Sequence, residues 1–381
     1  MLTTVVIAMG YSLFLMVYSY VLYPGLLWII PNKKRNLLNQ PQECSVAVVI
    51  AAYNEEKVIG TKIQSVLKHI PEAVHLDIYV GSDGSTDKTN KIVDEYAMKY
   101  SNVHLVTFAG RSGKAKIVND LVKERKQDIL ILTDANVLFT ERTIQELLYP
   151  FSETQVGMTC ANIIKRPKSD NAVEQIESHY IQRENNIKLK ESLIWNIVMG
   201  AEGGCYAIRK SSFNPIPKNF FMDDFFMSMN VLEQNQQIRF QEHAICLEDV
   251  PDNLHEEFKR KVRISIGNYQ NLFRFWRLLF RFNSISFALI SHKVLRWFCP
   301  FFILILLLGS FYLFIQIPQW SVYFYLNICV FVVPFLVPDH RFLKPINYMK
   351  HFLSMNFALL IGFIKYLKGV QSSVWTPTKR T

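Results

Sequence analysis

The chain has 381 residues, of which 50% are hydrophobic and 28 are Phe, a high aromatic content for a soluble enzyme. Its net charge of +10 is unevenly distributed, because residues 258–381 contain sixteen Lys and Arg but a single acid, Asp339. A basic end combined with apolar segments disfavours an ordinary soluble enzyme and suggests an anionic surface as partner.

The N-terminal segment has the composition of a transmembrane helix. Residues 1–32 contain no charged side chain, and Thr4–Ile30 is long enough to cross the hydrocarbon core of a bilayer. A cleaved signal peptide would begin with basic residues and have a shorter apolar region, and neither feature is present. Lys33, Lys34 and Arg35 follow at once, so the positive-inside rule predicts that the chain enters the cytoplasm at residue 33.

The following region, residues 44–257, has the size of a single soluble domain. Its first half alternates continuous apolar runs with segments of helical periodicity, which is typical of a parallel sheet flanked by helices. The predicted strands are Val46–Ala52, Leu76–Val80, Val103–Phe108 and Ile129–Thr133, and the predicted helices cover 58–67, 87–100 and 114–125. No Gly-x-Gly-x-x-Gly motif follows the first strand and no Gly-Lys-Ser/Thr loop occurs, which disfavours dinucleotide-binding and P-loop enzymes.

Three polar clusters follow three of these strands. They are Tyr53–Glu55, Gly81–Asp87 and Thr133–Asn136. Ligands of such folds bind beyond the carboxyl ends of the strands, so we expect the clusters to form one site. Asp134 has two interpretations, since it could cap the next helix or bind a divalent ion on a diphosphate. Lys114 is likewise either an exposed helix lysine or a phosphate-binding group at a helix N-terminus.

Seven motifs occur in the order seen in family 2 glycosyltransferases, and the chain resembles the membrane-integrated branch that includes hyaluronan, chitin and cellulose synthases. The motifs fall within residues 46–271 and read VVIAAYNEE, GSDGSTDKT, GKAKIVN, LTDAN, GAEGGCYAIRK, MDDFFMSMNVLEQ and KRKVRISIGNYQNL. The resemblance implies an α/β GT-A fold with a Rossmann-like, parallel-rich sheet and transmembrane helices at both ends. It also implies inverting transfer of a sugar from a nucleotide diphosphate sugar, with Mg²⁺ or Mn²⁺ as cofactor.

The resemblance assigns donor-binding and metal-binding roles residue by residue. The implied donor-binding residues are Ala52, Tyr53, Glu55 and Asp83 around the base, Lys114 at the phosphates, and Asp134. Asp134 and Asn136 occupy the family's Asp-x-Asp metal motif, with an amide where relatives usually have a second carboxylate. An amide oxygen is a neutral, weaker ligand, so we expect metal binding to depend mainly on Asp134, and Asn136→Asp to add an anionic ligand.

The implied catalytic residues lie in the second half of the domain. Asp224 follows Asp223 at the start of a helical pattern and would be the base that takes the acceptor's proton. The alternative is that acids at a helix N-terminus are simply favoured by the helix dipole, which suits Asp223 better than Asp224. Gly203 and Gly204 would form a small-residue floor where acceptor and donor meet, unless they belong to an ordinary Gly-rich loop.

The last motif departs furthest from the family pattern. Processive relatives carry Gln-x-x-Arg-Trp seven residues before a Gly. Counting back from Gly267 places Arg260 at the Gln position, Arg263 at the Arg and Ile264 at the Trp. Arg263 is therefore expected to neutralise the leaving diphosphate. The missing aromatic side chain argues against processive synthesis of long chains.

The remaining sequence is basic and apolar. The predicted segments are basic interfacial helices at 258–296, a transmembrane hairpin at 297–338, a third membrane or re-entrant helix at 346–368, and a basic tail at 369–381. Within the first of these, residues 273–283 are predicted to form one amphipathic helix that carries Trp276 among arginines. The arms of the hairpin are Phe298–Ile317 and Val322–Val337.

We therefore predict a multi-pass protein of the cell membrane with a cytoplasmic catalytic domain. Its partners would be a nucleotide-sugar donor, a saccharide or lipid-linked acceptor and membrane lipids, but not nucleic acid. Within the enzyme class, the alternative is transfer of a single sugar to a polyprenyl-linked lipid.

Two alternatives come from other classes of protein. The basic region 259–296 would suit a nucleic-acid-binding membrane protein, but the strand-end clusters would then have no role. Asn136 and the altered Arg-rich motif would suit a catalytically silent scaffold or transporter subunit. The retained acids and Arg263 argue against that interpretation.

Overall fold

The computed structural model describes residues 1–33, 44–166, 172–249, 254–337 and 343–369. The predicted tail from residue 370 onward, Lys34, Arg35 and Asp339 lie outside these ranges. The described residues form two compact units. The sheet unit contains residues 31–33, 44–166 and 178–249, and the helical unit contains residues 1–30, 172–177, 254–337 and 343–369. The predicted domain boundaries stay predictions.

A mixed sheet organises the sheet unit. Its strands are β1 (Cys44–Ala52), β2 (Val74–Asp83), β3 (Val103–Phe108), β4 (Ile129–Thr133), β5 (Leu138–Phe139), β6 (Val156–Arg166), β7 (Cys205–Arg209) and β8 (Gln237–Asp249). Their order is β3-β2-β1-β4-β7-β6-β8-β5. The pairs among β1 to β4 and the pair β6–β8 are parallel, whereas β7 and β5 pair antiparallel. The predicted parallel-rich sheet is confirmed.

The helices follow the strands in the predicted alternation. In chain order they are α1 (Leu2–Val17), α2 (Tyr23–Ile29), α3 (Ile59–Leu67), α4 (Thr89–Lys99), α5 (Lys114–Lys123), α6 (Thr143–Leu148), α7 (Ala172–Trp195), α8 (Asp223–Glu233), α9 (Leu254–Arg274), α10 (Ser284–Ala288), α11 (Leu295–Trp297), α12 (Cys299–Gln316), α13 (Ser321–Phe331), α14 (Val333–Leu336) and α15 (Lys344–Leu367). Helices α3, α4 and α5 lie where the apolar periodicity predicts helices.

The core of the sheet unit fixes the strand ends where the site is predicted. Val48 and Val49 of β1 point to opposite faces of the sheet and are both buried, as expected for a central strand of a parallel sheet that is covered on both faces. Helix α5 buries Ile117 and Leu121, four residues apart on one helix face. Gly81 permits their close approach, because a Cβ at this position would lie 2.4 Å from Ile117 Cγ2. The start of α5 is thereby fixed near the carboxyl end of β2.

Two helices of the helical unit are long and apolar enough to cross a membrane, judged by length and composition among the described residues. They are Leu2–Ile29, in which a π-helical turn joins α1 to α2, and Cys299–Gln316. The second predicted hairpin arm is instead divided between α13 and α14 at Val332. Pro334 lies in the first turn of α14, where its missing N–H is tolerated. The multi-pass topology stays a prediction.

The prediction of one amphipathic helix over 273–283 is wrong. Helix α9 ends at Arg274, a 3₁₀ turn covers Trp276–Phe280, and Phe282 has a φ of +49°. Asn283 then caps α10 with its side-chain oxygen. Because a left-handed residue and an N-cap interrupt helical geometry, this basic, aromatic segment is a turn between two helices.

Candidate active site

The turns after β1 and β2 are joined by hydrogen bonds. The Asn54 side-chain oxygen accepts from the Thr86 N–H at 2.8 Å, and the Glu55 N–H donates to Thr89 Oγ1 at 2.8 Å. Asn54 has a φ of +52°, a conformation that Asn adopts more readily than most residues. The first two predicted clusters therefore lie together at the edge where the parallel strands end.

Asp83 holds the loop that leads into α5. Its Oδ1 accepts from the Ser112 N–H at 2.5 Å, and its Oδ2 accepts from the Gly113 N–H at 3.0 Å. Gly113 has a φ of +88°, which favours glycine. Since α5 begins at Lys114, these bonds fix the position of that lysine.

Arg111 belongs to the same pocket, although the sequence analysis did not single it out. Its guanidinium carbon lies 3.4 Å from the centroid of the Tyr53 ring, and its Nε donates to Asp83 Oδ2 at 3.3 Å. A planar guanidinium stacks well on an aromatic face. The pair predicted to line the base, Tyr53 and Asp83, is thus joined by an arginine. One basic residue in a polar loop gives no recognisable sequence signal.

Lys114 brings the first and second halves of the sheet unit together. Its Nζ donates to Asp134 Oδ1 at 2.9 Å and lies 3.3 Å from Asp223 Oδ2. Burial alone would lower the pKa of Lys114, but the carboxylates of Asp134 and Asp223 raise it above its ordinary value. Lys114 therefore stays an ammonium group, and it is not the exposed helix lysine of the alternative interpretation.

Asp224 is a buried carboxyl group with an unusual proton affinity. The pKa of Asp224 is raised to about 7, mainly by burial and next by repulsion from Asp223. The Lys114 ammonium and the Phe225 N–H act in the opposite direction and lower it. That N–H donates to Asp224 Oδ1 at 2.7 Å. A group that titrates near neutral pH is well matched to general-base catalysis.

The two predicted acceptor glycines have different surroundings. A Cβ at Gly203 would lie 2.9 Å from Asp224 Oδ2, so this glycine leaves room beside the carboxylate. A Cβ at Gly204 would lie 2.4 Å from Ile163 Cδ1, inside the core. The Gly204 carbonyl also accepts from Thr133 Oγ1 at 2.8 Å and from the Asp134 N–H at 3.1 Å. Gly203 borders the site, and Gly204 holds the end of β4.

Lys62 supports the turn that carries Asp134, and the sequence does not distinguish it from an exposed helix lysine. Its Nζ is fully buried and donates to Thr133 Oγ1 at 2.9 Å and to the Val137 carbonyl at 2.5 Å. The ammonium also lies 3.7 Å from the centroid of the Phe139 ring. Burial lowers the pKa of Lys62 to about 8. One ammonium group therefore ties both flanks of the Asp134–Asn136 turn.

The oxygen atoms at this turn fit a divalent ion held mainly by a bound diphosphate. The Asp134 side chain is 39% exposed. The buried Asp223 Oδ2 accepts no hydrogen bond from the described residues, although the Lys114 ammonium lies 3.3 Å away. Mg²⁺ is usually held by one or two carboxylates together with substrate phosphates. Among the described residues, no group of three His, Cys, Asp or Glu side chains could hold a metal ion alone.

The Asn136 side chain is hydrogen-bonded to Glu248 and not to the residues around Asp134. Its Nδ2 donates to Glu248 Oε1 at 3.2 Å, and Glu248 Oε2 forms a 2.6 Å ion pair with the buried Lys165. Only the carbonyl oxygen of Asn136 could then act as a metal ligand. Asp134 is the stronger candidate of the two predicted ligands.

The roles of all the predicted site residues stay predictions, including those of Ala52, Glu55 and Arg263. Ala52 is 2% exposed at the end of β1, where it pairs with Ser82, and Glu55 is 6% exposed in the turn before α3. Arg263 lies on α9 in the helical unit. Tyr206 was not predicted as a site residue and is buried. Its pKa lies well above the ordinary value, mainly because of burial and to a smaller extent because of the nearby Asp223 and Asp224.

Comparisons with known proteins agree with this geometry. Residues 47–216 match the model of glycosyl transferase family 2. A probable glycosyltransferase, YdaM, from Bacillus subtilis (strain 168) is 23% identical over 71% of this chain and 66% of its own length. A poly-beta-1,6-N-acetyl-D-glucosamine synthase from Staphylococcus epidermidis is 24% identical over 61% of this chain and 56% of its own length. The chain therefore spans less than two thirds of these relatives.

A solved structure extends the likeness to nearly the whole fold. A mannosyltransferase from Pyrobaculum calidifontis, in complex with GDP-Man and Mn²⁺, matches with a TM-score of 0.73 and 18% identity. The match covers 96% of this chain and 99% of that one. At this identity the likeness establishes the GT-A fold alone. Together with the family match, it shows that the chain carries a family 2 glycosyltransferase domain of GT-A fold.

Proposed function

From this family 2 glycosyltransferase domain, we propose that the protein is a membrane-bound, inverting glycosyltransferase that moves a sugar from a UDP-sugar to a saccharide hydroxyl group. The observation that carries the proposal is the convergence of Lys114, Asp134 and Asp223 beside Asp224. The convergence places a fixed cation, acidic oxygens and a titratable carboxyl group at one edge of the sheet. Such a set can bind a diphosphate and deprotonate an acceptor.

The donor would bind along the ends of β1, β2 and β4. Tyr53 and Asp83 would contact the base, as the resemblance implies, and the Lys114 ammonium would contact the diphosphate at the N-terminus of α5. Backbone N–H groups and the helix dipole favour an anion at such a terminus. Asp134, with the carbonyl oxygen of Asn136, would hold Mg²⁺ or Mn²⁺. When bound, the ion would neutralise charge on the diphosphate.

The transfer step would use Asp224 as the base. The acceptor oxygen attacks the anomeric carbon as its proton passes to the Asp224 carboxylate. The bond between that carbon and the diphosphate oxygen breaks, and the electron pair leaves with UDP. Displacement from the opposite face inverts the anomeric centre. Gly203 leaves space for the acceptor beside Asp224 Oδ2.

A second candidate function is single-sugar transfer to a lipid-linked acceptor. Arg260, at the position of the processive motif's Gln, is bound within the helical unit to Glu177 at 2.8 Å and to Glu257 at 2.8 Å. Ile264 offers no aromatic surface for a growing chain. These features favour few additions, and the two apolar helices would keep the enzyme at the membrane where such acceptors reside.

The test is a screen for nucleotide release. The full chain, purified in detergent, is incubated with a panel of UDP-sugars and GDP-sugars, with and without saccharide and polyprenyl-phosphate acceptors. We expect release of UDP from one sugar nucleotide, stimulated by one acceptor class. Absence of release from every donor and acceptor pair would contradict the proposal and favour the catalytically silent scaffold.

A further inference from the structure

The sheet unit contains a buried hydroxyl group that the proposed mechanism does not use. Tyr206 of β7 is 1% exposed, and its hydroxyl oxygen has no hydrogen-bond partner among the described residues. An unpartnered polar group in a protein interior costs free energy, because it has lost its hydrogen bonds to water. Phenylalanine would fill the same space without this cost, so packing alone does not account for the hydroxyl.

Strand register directs the Tyr206 side chain to the face of the sheet that α5 covers. Cys205 and Ala207, its neighbours on β7, belong to the core that α3 covers, and side chains alternate along a strand. Tyr206 therefore lies on the opposite face. Gly81, which follows the core residue Val80 on β2, identifies the helix on that face, because a Cβ there would lie 2.4 Å from a side chain of α5.

The first residues of α5 and α8 meet near this side chain. Tyr206 pairs with the β4 residue two places before Asp134. Lys114, the first residue of α5, joins Asp134 to Asp223, the first residue of α8. Burial first, and then the nearby carboxylates, led by Asp223, raise the pKa of Tyr206 well above its ordinary value. The hydroxyl therefore keeps its proton and lies near the acids as a hydrogen-bond donor.

One acceptor near this donor is also incompletely satisfied. The buried Asp223 Oδ2 accepts no hydrogen bond from the described residues, and the Lys114 ammonium lies 3.3 Å away as an ion pair. Under the proposed function, this ammonium contacts the diphosphate, which carries more negative charge than one carboxylate and so draws the ammonium towards itself. Asp223 then loses part of its counter-charge while it stays buried, and it needs another donor.

We propose that Tyr206 is a positioning residue for Asp223 and Asp224 when a nucleoside diphosphate occupies the site. Its hydroxyl then donates a hydrogen bond to Asp223 Oδ2, directly or through one buried water. The bond holds the Asp223 carboxylate and with it the first turn of α8, where Asp224 is the next residue. This inference rests on the proposed function, because it requires a diphosphate at Lys114.

Tyr79 provides a matched tyrosine in the same unit. It lies on β2, is 8% exposed, and its hydroxyl accepts from Gln127 Nε2 at 3.2 Å. Gln127 precedes β4, so this hydrogen bond lies at the end of that strand opposite Asp134. Tyr79→Phe therefore removes a buried tyrosine hydroxyl without touching the acids. The two hydroxyls differ in that the one of Tyr79 has a partner.

The experiment is a double-mutant cycle on UDP affinity, measured by isothermal titration calorimetry on the full chain in detergent with Mg²⁺ present. The variants are Tyr206→Phe, Asp223→Ala, their combination and the control Tyr79→Phe. Tyr206→Phe should weaken UDP binding by about tenfold or more, the effect of losing one hydrogen bond to a charged group. In the Asp223→Ala background, the same change should weaken UDP binding less than about twofold, because the acceptor is gone. Tyr79→Phe should leave UDP affinity unchanged.

Melting temperatures measured without UDP separate this role from a structural one. Removing a buried hydroxyl that has no partner should leave the melting temperature of Tyr206→Phe unchanged or raise it, whereas Tyr79→Phe loses a partnered hydroxyl and should melt lower. For Tyr206→Phe, unchanged UDP affinity, an equal loss in both backgrounds, or a lowered melting temperature would each overturn the role of Tyr206 and leave the proposed function intact. Absence of UDP binding to the unmodified protein would overturn the proposed function and this inference with it.

Discussion

Two parts of the candidate site differ in how their carboxylates are stabilised. The donor side is the loop around Asp83, where we propose that the donor binds, and the acid side is the pair Asp223 and Asp224. On the donor side, Asp83 has its charge matched by three N–H groups. On the acid side, Asp223 and Asp224 are adjacent and buried, and they share the influence of one cation, Lys114. The first arrangement satisfies its carboxylate, and the second leaves a carboxyl group that titrates near neutral pH.

This difference shows how one domain can bind and react at the same edge. The Asp83 carboxylate, which accepts from three N–H groups, holds the loop that leads into α5 in place. A pair of crowded acids has one member whose proton affinity is high enough to take a proton from a hydroxyl group. Lys114 forms ion pairs with Asp134 and Asp223, so we propose that it serves both donor binding and catalysis.

The largest expected effect comes from removing the divalent ion that the donor side would use. Treatment with EDTA should abolish turnover, and Mn²⁺ or Mg²⁺ should restore it, because Asp134 provides only one exposed carboxylate at the diphosphate. UDP affinity measured with and without the ion should fall in parallel. Full turnover and unchanged UDP affinity in the chelator would mean that cationic side chains, and not a metal ion, supply the positive charge.

Asp224→Asn should have the next largest effect. It keeps the shape and can still accept from the Phe225 N–H, but it cannot take the acceptor's proton. Removal of a general base typically lowers the rate about 10²–10⁴-fold. UDP affinity, measured by calorimetry, should barely change, since the proposed donor contacts lie on other residues. A transfer rate near that of the unmodified protein would place the base elsewhere, and a parallel loss of UDP affinity or of melting temperature would indicate a folding role.

Asp223→Asn should move the pH dependence of the transfer rate. The carboxyl group of Asp224 has a pKa raised to about 7, so it is protonated and inactive at lower pH. The rate of the unmodified protein should therefore fall about tenfold per pH unit below neutrality. Because Asp223 raises the pKa of Asp224 by repulsion, its neutral replacement should shift this acidic limb to lower pH. The control is Asp120→Asn, in an exposed pair with Lys116, which should leave the profile in place.

The smallest effects compare the two neighbouring glycines. Gly203→Ala should displace the Asp224 carboxylate and lower the transfer rate by at most about tenfold, with little change in melting temperature. Gly204→Ala should instead lower the melting temperature, because overpacking a core costs about 1–3 kcal/mol. Transfer rates and melting temperatures of both variants distinguish a loss of activity from a loss of stability. Equal losses of stability would show that Gly203 is as structural as Gly204.

The first half of the sheet unit could be predicted from the sequence because its information is local. Val46–Ala52 of β1 and Ile129–Leu132 of β4 are continuous apolar runs, and β3 and β4 have the predicted bounds Val103–Phe108 and Ile129–Thr133. Strand-end acids follow these runs directly, so Asp83 and Asp134 could be assigned to the site without the fold. The apolar runs therefore predict that these acids lie at one edge of the sheet, whereas their donor-binding role comes from the family resemblance.

The acid side depends on contacts between distant parts of the chain. The pKa of Asp224 is set by burial, Asp223 and Lys114, and Lys114 comes from a helix far earlier in the sequence. Lys62 and Arg111 follow no pattern, since a lysine in a helix and an arginine in a polar loop are usually exposed. The 273–283 prediction failed for a related reason, because amphipathic composition does not reveal the left-handed Phe282.

The hydrogen bond between Asn136 and Glu248 restricts how this domain can evolve. An Asp at position 136 would place a second carboxylate against Glu248, and the single buried Lys165 would have to balance both. The second carboxylate of the family pattern would therefore be repelled by Glu248 if it replaced Asn136. An acid could replace Asn136 without this repulsion only if position 248 were also neutral. The Asn136 amide can donate to Glu248, whereas a carboxylate cannot. We therefore expect substitutions at positions 136 and 248 to occur together.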